Sequence, residues 1–295
     1  KIYAENLEPS ALEQFESAMA LDCVVAGALM PDAHTGYSLP IGAVIATQDM
    51  LFPSWVGYDI GCGVCAVPTS FYAEDVRLKA DAIHTQIHRD IPTGFRAHAK
   101  PQEETYKHMA NLPCTDRLTE VAQRRQARFQ IGTLGGGNHF IEIGEDSVDG
   151  RVWVIIHSGS RGVGHGTAQE YMRLASPDDK VREGHYGFHR DSQEGRDYWL
   201  DVSWCLHYAL ENRLAMMRAA VRAIQLNSIG DAQWHDLINR NHNHVEAGTF
   251  GPVGVNPPLP RPVFIHRKGA THAEWGMKGV IPGNMRDGCY IVTGT

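Results

Sequence analysis

Four segments of this 295-residue chain, three of them glycine-rich, carry side chains that can bind metal or phosphate. The first, residues 56–65 (VGYDIGCGVC), sets Asp59 and Cys62 three positions apart among Gly57, Gly61 and Gly63. Glycines let a backbone fold tightly enough to aim a carboxylate and a thiolate at one point. Taken alone, the segment reads equally well as a glycine turn holding a buried cysteine. The second, residues 131–143 (IGTLGGGNHFIEI), opens a glycine run onto Asn138 and His139. Successive N–H groups in such a run can face a phosphate. No Gly-Lys-Ser/Thr follows it, and a strand rather than a helix comes next, so it is neither a Walker loop nor a dinucleotide fingerprint. In the third, residues 157–165 (HSGSRGVGH), His157 ends an apolar strand and Arg161 lies in the turn beyond, where a guanidinium can hold a phosphate bidentately. His165 reads as a helix-start residue. The fourth, residues 241–246 (NHNHVE), puts His242 and His244 on one side of an extended segment, so that both or only one can ligate.

One Asp, one Cys and three His from these segments make a site for one or two divalent cations. Ligand softness selects zinc for a Cys/His set. A single thiolate with a carboxylate and several imidazoles also suits a bridged pair of ions sharing the sulfur. Such a pair can hold phosphate oxygens, which points to metal-dependent phosphoryl or nucleotidyl chemistry. The overall charge pulls the other way: 27 Lys+Arg stand against 34 Asp+Glu, a net −7. Any grip on nucleic acid must therefore be local or helped by metal, because a broad basic face is excluded.

The elements that must position these residues follow from patterning. Ser10 and Glu13 form a capping-box pattern ahead of the stripe Leu12, Phe15, Met19. Residues 22–30 and 41–47 read as strands joined by a glycine- and proline-punctuated link at 30–36. Helices are expected around 74–89 and 115–128, and a β-branched strand at 151–157. One long helix spans about 197–224, with Trp199, Val202, Leu206, Leu210, Leu214, Met217 and Val221 as a core stripe. The five prolines of 251–262 mark a loop. Strands and helices do not alternate regularly, so the class is α+β. Six cysteines are too few for a disulfide scaffold and read as reduced thiols of a cytoplasmic protein. No run of 18 apolar residues exists, so no membrane span is expected. The chain starts at Lys1 without a signal-peptide pattern and stops at Thr295 after an apolar run, as though both ends were cut.

In order, these segments resemble the RtcB family of RNA-splicing ligases. The likeness runs through 30–36 (MPDAHTG), 56–63, 132–143, 157–162, His242-Asn243, 267–270 (RKGA) and 281–283 (IPG), from about residue 28 to the end. It implies one complex catalytic domain over 1–295, with mixed and antiparallel sheets surrounded by helices. It also implies a reaction. A 3′-phosphate or 2′,3′-cyclic phosphate RNA end is joined to a 5′-hydroxyl end, using GTP, manganese and a histidine-bound GMP, in tRNA splicing or RNA repair. Cys62 would bridge two Mn2+ ions, Asp59 and His139 completing one site and His157 and His242 the other. The family's manganese takes precedence over the zinc that softness selects. Asn138, His139, Phe140, Ile141 and Glu142 would line the guanylate, with Glu142 as base-edge acceptor. His242, Asn243, Pro282, Gly283, Asn284, Met285 and Cys289 would add contacts, and an activating protein partner is compatible with the family.

Asn284 and Cys289 depart from the family's usual serines, which alters hydrogen bonding to the nucleotide. The family's guanylylated histidine belongs to a His-Gly-Ala-Gly-Arg segment absent from residues 1–295. His244, His266 and His272 lack that context, so the nucleophile is expected beyond Thr295, and the 1–295 form is expected not to be guanylylated. A metal phosphoesterase acting on RNA ends, or a non-catalytic RNA-end binder, are the alternatives.

Overall fold

The computed structural model describes residues 1–251 and 261–295. With 36% helix, 28% strand, several antiparallel sheets and no closed barrel among the described residues, the class is the α+β expected. One four-stranded antiparallel sheet runs β1 (Val24–His34), β2 (Ile41–Thr47), β10 (Arg261–Lys268), β9 (Asn243–Phe250). The second runs β5 (Phe140–Glu145), β6 (Arg151–Ser158), β4 (Gly63–Tyr72), β8 (Ile238–Asn241). Two small pairs complete the strands: β3 (Met50–Leu51) with β7 (Phe188–His189), and the hairpin β11 (Lys278–Pro282) with β12 (Cys289–Thr293).

Helix α1 (Pro9–Met19) packs its Phe15 and Ala18 with Leu29, Ala43 and Ile45 of the first sheet. Short α2 (Pro53–Val56) precedes the first glycine-rich segment, while α3 (Ala73–Leu78) and α4 (Ala80–Asp90) follow β4. Then come α5 (Glu103–Ala110), α6 (Asp116–Arg124), α7 (Ala127–Gln130), α8 (Arg161–Ala175) and α9 (Gln193–Gln225). At 33 residues α9 is roughly 50 Å long, and it contributes to two hydrophobic cores, through Val202, Cys205 and Tyr208 and through Met216, Met217 and Ile224. Among the described residues no helix is long and apolar enough to cross a membrane.

Several local expectations change. The capping box at Ser10 does not form: Pro9, whose fixed φ suits the first helical position, starts the helix after Glu8, and the Ser10 hydroxyl bonds Thr35 instead. The link at 30–36 is mostly strand, since β1 continues to His34 through a register shift. The helix expected at 74–89 breaks at Lys79, and that at 115–128 breaks where Gln126 turns left-handed at φ 53°. The expected stripe on α9 is offset: Leu206, Leu210 and Leu214 are only half-buried, while Cys205, Tyr208, Ala209, Asn212 and Arg213 face inward. Of the loop expected at 251–262, residues 252–260 lie outside the described residues, and Arg261 and Pro262 belong to β10.

Asp201 on α9 ties two helices to that core. Its carboxylate accepts from Thr115 N at 2.9 Å, Thr115 Oγ1 at 2.6 Å and Tyr171 OH at 2.7 Å. Thr115 is also the N-cap of α6, its hydroxyl accepting from Leu118 N. Burial raises the Asp201 pKa, and the hydrogen bonds only partly oppose it. Replacing it leaves buried donors unanswered, so Asp201→Ala should cost about 2–4 kcal/mol in urea unfolding. A cost below about 1 kcal/mol would mean that burying the charge cancels what its three bonds contribute.

Candidate metal centre

The chemistry-bearing residues meet because strand register brings them to one end of the second sheet. Gly63 of β4 pairs with Ser158 of β6 and Asn241 of β8, and Phe140 of β5 pairs with His157. Cys62, His139 and His242 each lie one residue outside a strand at that same end. The His242 N–H donates to the Cys62 carbonyl at 2.7 Å, which closes the corner.

Two adjacent residues of α9 fix the segments from beneath. Arg213, fully buried, donates from Nη1 to the carbonyls of Gly61 at 2.7 Å and Ser158 at 2.8 Å. Its Nη2 reaches Asn241 Oδ1 at 2.6 Å, and its Nε reaches Asn239 Oδ1 at 2.8 Å. Asn212 accepts on Oδ1 from Gly132 N at 2.7 Å and Thr133 N at 3.1 Å, and donates to the Gly159 carbonyl at 3.0 Å. Each of the four segments thus hangs from a side chain of one helix. Sequence reasoning missed this pair. The available signal was an Asn-Arg dipeptide four residues from Tyr208-Ala209 and from Met216-Met217, on the inward face of an apolar helix.

Above this scaffold, five donor side chains form two groups that share Cys62: Asp59, Cys62 and His139, and Cys62, His157 and His242. Within each group the donor atoms lie within 4.8 Å of one another. Cys62 Sγ is 3.2 Å from His157 Nε2 and 3.6 Å from His139 Nε2. His139 Nε2 is 2.9 Å from Asp59 Oδ2, and the Nε2 atoms of His157 and His242 are 3.2 Å apart. Backbone carbonyls set the tautomers. His139 Nδ1 donates to Leu134 O at 2.9 Å and His157 Nδ1 to Asn138 O at 3.2 Å, which turns both Nε2 atoms inward. Asp59 approaches so closely that a side chain at Gly159 would collide with its carboxylate.

Burial governs the protonation states. It lowers His157 to about 4, helped by the charge of His139, and His242 to about 3, so both rings are neutral at pH 7. Burial, then the Asp59 charge, raises the Cys62 thiol well above its ordinary range. For Asp59, burial acts upward, but the hydrogen bond and charge of His139 outweigh it, and the carboxyl stays low. Neutral imidazoles with inward lone pairs, a carboxylate and a sulfur are donors that can hold a metal ion, and a cation there would reverse the penalty on the thiolate.

The remaining sequence candidates are placed variously. Glu142 on β5 accepts from Cys289 Sγ at 3.2 Å, so the start of β12 meets the proposed base-edge acceptor. Phe140 packs with Cys289 against Val64, Ile155 and Val280, while Ile141 joins the core that α9 lines. The turn after Pro282 and Gly283 is a local Asn284 cap: its Oδ1 accepts from Arg286 N and Asp287 N, and Met285 is exposed. Asn138 is exposed at the end of the glycine run. The Asn243 amide is engaged, donating to Asp59 O at 3.3 Å and accepting from Gly269 N at 2.8 Å. Arg161 is held by Thr133 Oγ1 at 3.2 Å and Gly94 O at 3.1 Å, with its guanidinium against Gly135. His244 stands apart from the ligand groups, 3.7 Å from Glu246. His165 lies in the second turn of α8, stacked on Tyr58.

Arg213→Met would strand two buried carbonyls and two asparagine side chains at once. It should lower stability by about 3 kcal/mol or more in urea unfolding and speed amide exchange around Gly61 and Ser158. Unaltered exchange there would mean that the helix does not hold these segments.

Comparison with known proteins shows the family. The family model described as tRNA-splicing ligase RtcB matches residues 14–295. An RNA-splicing ligase RtcB of Escherichia coli (strain K12) is 31% identical over 293 residues, covering 90% of this chain and 69% of that protein. A tRNA-splicing ligase RtcB of Pyrobaculum aerophilum is 28% identical, covering 100% and 76%. An RNA-splicing ligase RtcB homolog 1 of Entamoeba dispar is 27% identical, covering 98% and 66%. With a match over nearly its whole length and the shared-cysteine donor groups in place, this chain belongs to the RtcB family of RNA ligases.

Proposed function

We propose that residues 1–295 form one catalytic domain of a GTP- and Mn2+-dependent ligase that joins RNA 3′-phosphate or 2′,3′-cyclic phosphate ends to 5′-hydroxyl ends through a histidine-bound GMP. The observation that carries the reading is the pair of three-donor groups sharing Cys62 Sγ. Asp59, Cys62 and His139 would hold one ion, and Cys62, His157 and His242 the other. Bound there, the two cations supply positive charge to phosphoryl oxygens, which a chain of net charge −7 does not otherwise provide.

The protein's own groups do the rest. The carbonyls of Leu134 and Asn138 keep His139 and His157 in one tautomer, and Arg213 and Asn212 keep their segments in register. Glu142 takes the N–H groups of a guanine edge, and the Cys289 thiol donates to the same carboxylate. Burial first, then that contact with Glu142, pushes Cys289 up to about 12, so the thiol keeps its proton and remains a donor. The six free cysteines support a reducing cytoplasmic setting.

Incubated with GTP, Mn2+ and the two RNA ends, a form of the protein that carries the family's His-Gly-Ala-Gly-Arg segment should give joined product and a protein–GMP adduct, whereas residues 1–295, which lack that segment, should give no adduct. Opening of the cyclic phosphate without GTP, and without joining, would favour a phosphoesterase. RNA bound and left unchanged would favour a binding module. In the same assay Cys62→Ala should lose both ions, from about two per chain to none, and all joining. Cys65→Ala should keep the metal, because Cys65 packs with Val67 and Val154 in the core lined by α9. Full metal content in Cys62→Ala would exclude a shared sulfur.

Glu142→Ala tests the nucleotide face separately. Loss of a hydrogen bond to a charged group should weaken GTP about 10- to 100-fold, measured by calorimetry, with metal content unchanged. Equal GTP affinity in the variant would place the guanine elsewhere.

A further inference from the structure

Lys268 is a buried cation with nothing to bind. It is 6% exposed, and among the described residues its Nζ is the one buried ammonium without a hydrogen-bond partner. Burial lowers its pKa to about 8, which the charge of Glu183 only partly offsets. Proteins rarely leave such a group unanswered, because an unpaired charge in a dry setting is costly and an anion repays that cost.

Its position says which anion. Lys268 pairs in register with Asn243, next to His242, and the Asn243 side chain bridges Gly269 N to the Asp59 carbonyl. Its Cε and Nζ lie against Gly57, where a methyl group would sit 3.7 and 4.0 Å from them, two residues before Asp59. The positive charges that act on Asp59 come from His139, Arg161 and Arg213, whereas Lys268 senses Glu183. The ammonium therefore serves a position beside the metal centre. Over it lies Tyr37, its ring centroid 5.7 Å from Nζ and 67% of the residue exposed. Tyr58 meets that ring edge-on at 5.9 Å and is itself fixed by donating to Glu183 at 3.1 Å. An exposed, braced aromatic face above a partnerless ammonium matches a single-stranded nucleotide, the base on the ring and the phosphate on the cation.

We infer that Lys268 and Tyr37 form an RNA subsite next to the metal centre, in which the ammonium binds the phosphodiester flanking the reacting phosphate and the Tyr37 ring stacks the adjoining base. With Tyr37 67% exposed, the phosphate has its access past the edge of the ring. This inference rests on the RNA-ligase reading. A phosphate of GTP shares the chemistry, but the guanine-facing Glu142 belongs to the other sheet, on β5, and Lys268 to β10.

The test compares wild type, Lys268→Met and Tyr37→Ala in binding a short 3′-phosphorylated single-stranded RNA across a salt series, and separately GTP. Lys268→Met should bind RNA about tenfold more weakly, with the slope of log affinity against log salt reduced by about 0.7, one phosphate contact. GTP affinity should be unchanged, and the midpoint of thermal unfolding unchanged or raised, since a partnerless buried charge is gone. A lysine that only supports the fold would instead lower the midpoint and leave the slope alone, which overturns the proposal. Weakened GTP binding with RNA binding intact overturns the assignment to RNA. Tyr37→Ala, at an exposed position that does not hold the fold, should lose about tenfold in RNA affinity with the slope retained; unchanged affinity removes the stacking contact. Wild-type protein that neither binds nor joins RNA removes the ligase reading and this subsite with it, whereas wild-type joining with an indifferent Lys268→Met removes the subsite alone.

Discussion

The site depends on one guanidinium. Arg213 is wholly buried in the middle of α9, and its hydrogen bonds end on Gly61, Ser158, Asn239 and Asn241. Those residues flank Cys62, His157 and His242. A strand end is where backbone groups lose their ladder partners, and the ligand segments are all strand ends. Without an internal donor their carbonyls would be stranded in the core, and the ligands attached to them would wander. A planar cation with five donors can serve several carbonyls from one point, which no neutral side chain and no ammonium can match. The neighbouring Asn212 does the same for the glycine run, through both faces of its amide.

Above that anchor the protein has desolvated a set of donors of which only Asp59 and His139 answer each other with opposite charge. His157 and His242 are held neutral, Cys62 is held away from its thiolate, and Asp59 stays ionised beside His139. One thiol proton can answer only one of the neighbours around Sγ. The arrangement gains its energy back when positive charge enters, and the thiol then loses its proton readily. Metal affinity and pH are linked here through proton release. The negative overall charge fits the same logic, because attraction for a polyanion is concentrated at one point rather than spread over a face.

Much of this was legible in the residues, for reasons that differ. The strands at 41–47 and 151–157 and the helix at 197–224 showed because burial imposes periodicity on composition. Asp59, Cys62, His139, His157 and His242 showed because ligand types beside glycine are conspicuous, and the family likeness ordered them. His242 could not be separated from His244 by spacing alone. The choice is made by chain direction, since His242 falls at the corner between β8 and β9 while His244 enters β9 beside Glu246. The false capping box at Ser10 fits a local motif, and Pro9 overrode it. Arg213 was illegible because a single arginine in a helix is usually a solvated one, and only the packing of both sheets around α9 puts it inside.

Two buried cations therefore stand in contrast within one fold. Arg213 has every near partner it needs and no access to solvent, so its work is finished once the chain is folded. Lys268 is nearly as buried, yet its ammonium has only an exposed aromatic ring and a carboxylate already engaged by Tyr58. Folding alone gives no reason for the second, because an apolar side chain of the same length would fill that space at lower cost. Its charge makes physical sense only if part of the binding partner's charge completes it. The same criterion separates the arginine that builds the metal centre from the lysine that faces what the centre acts upon.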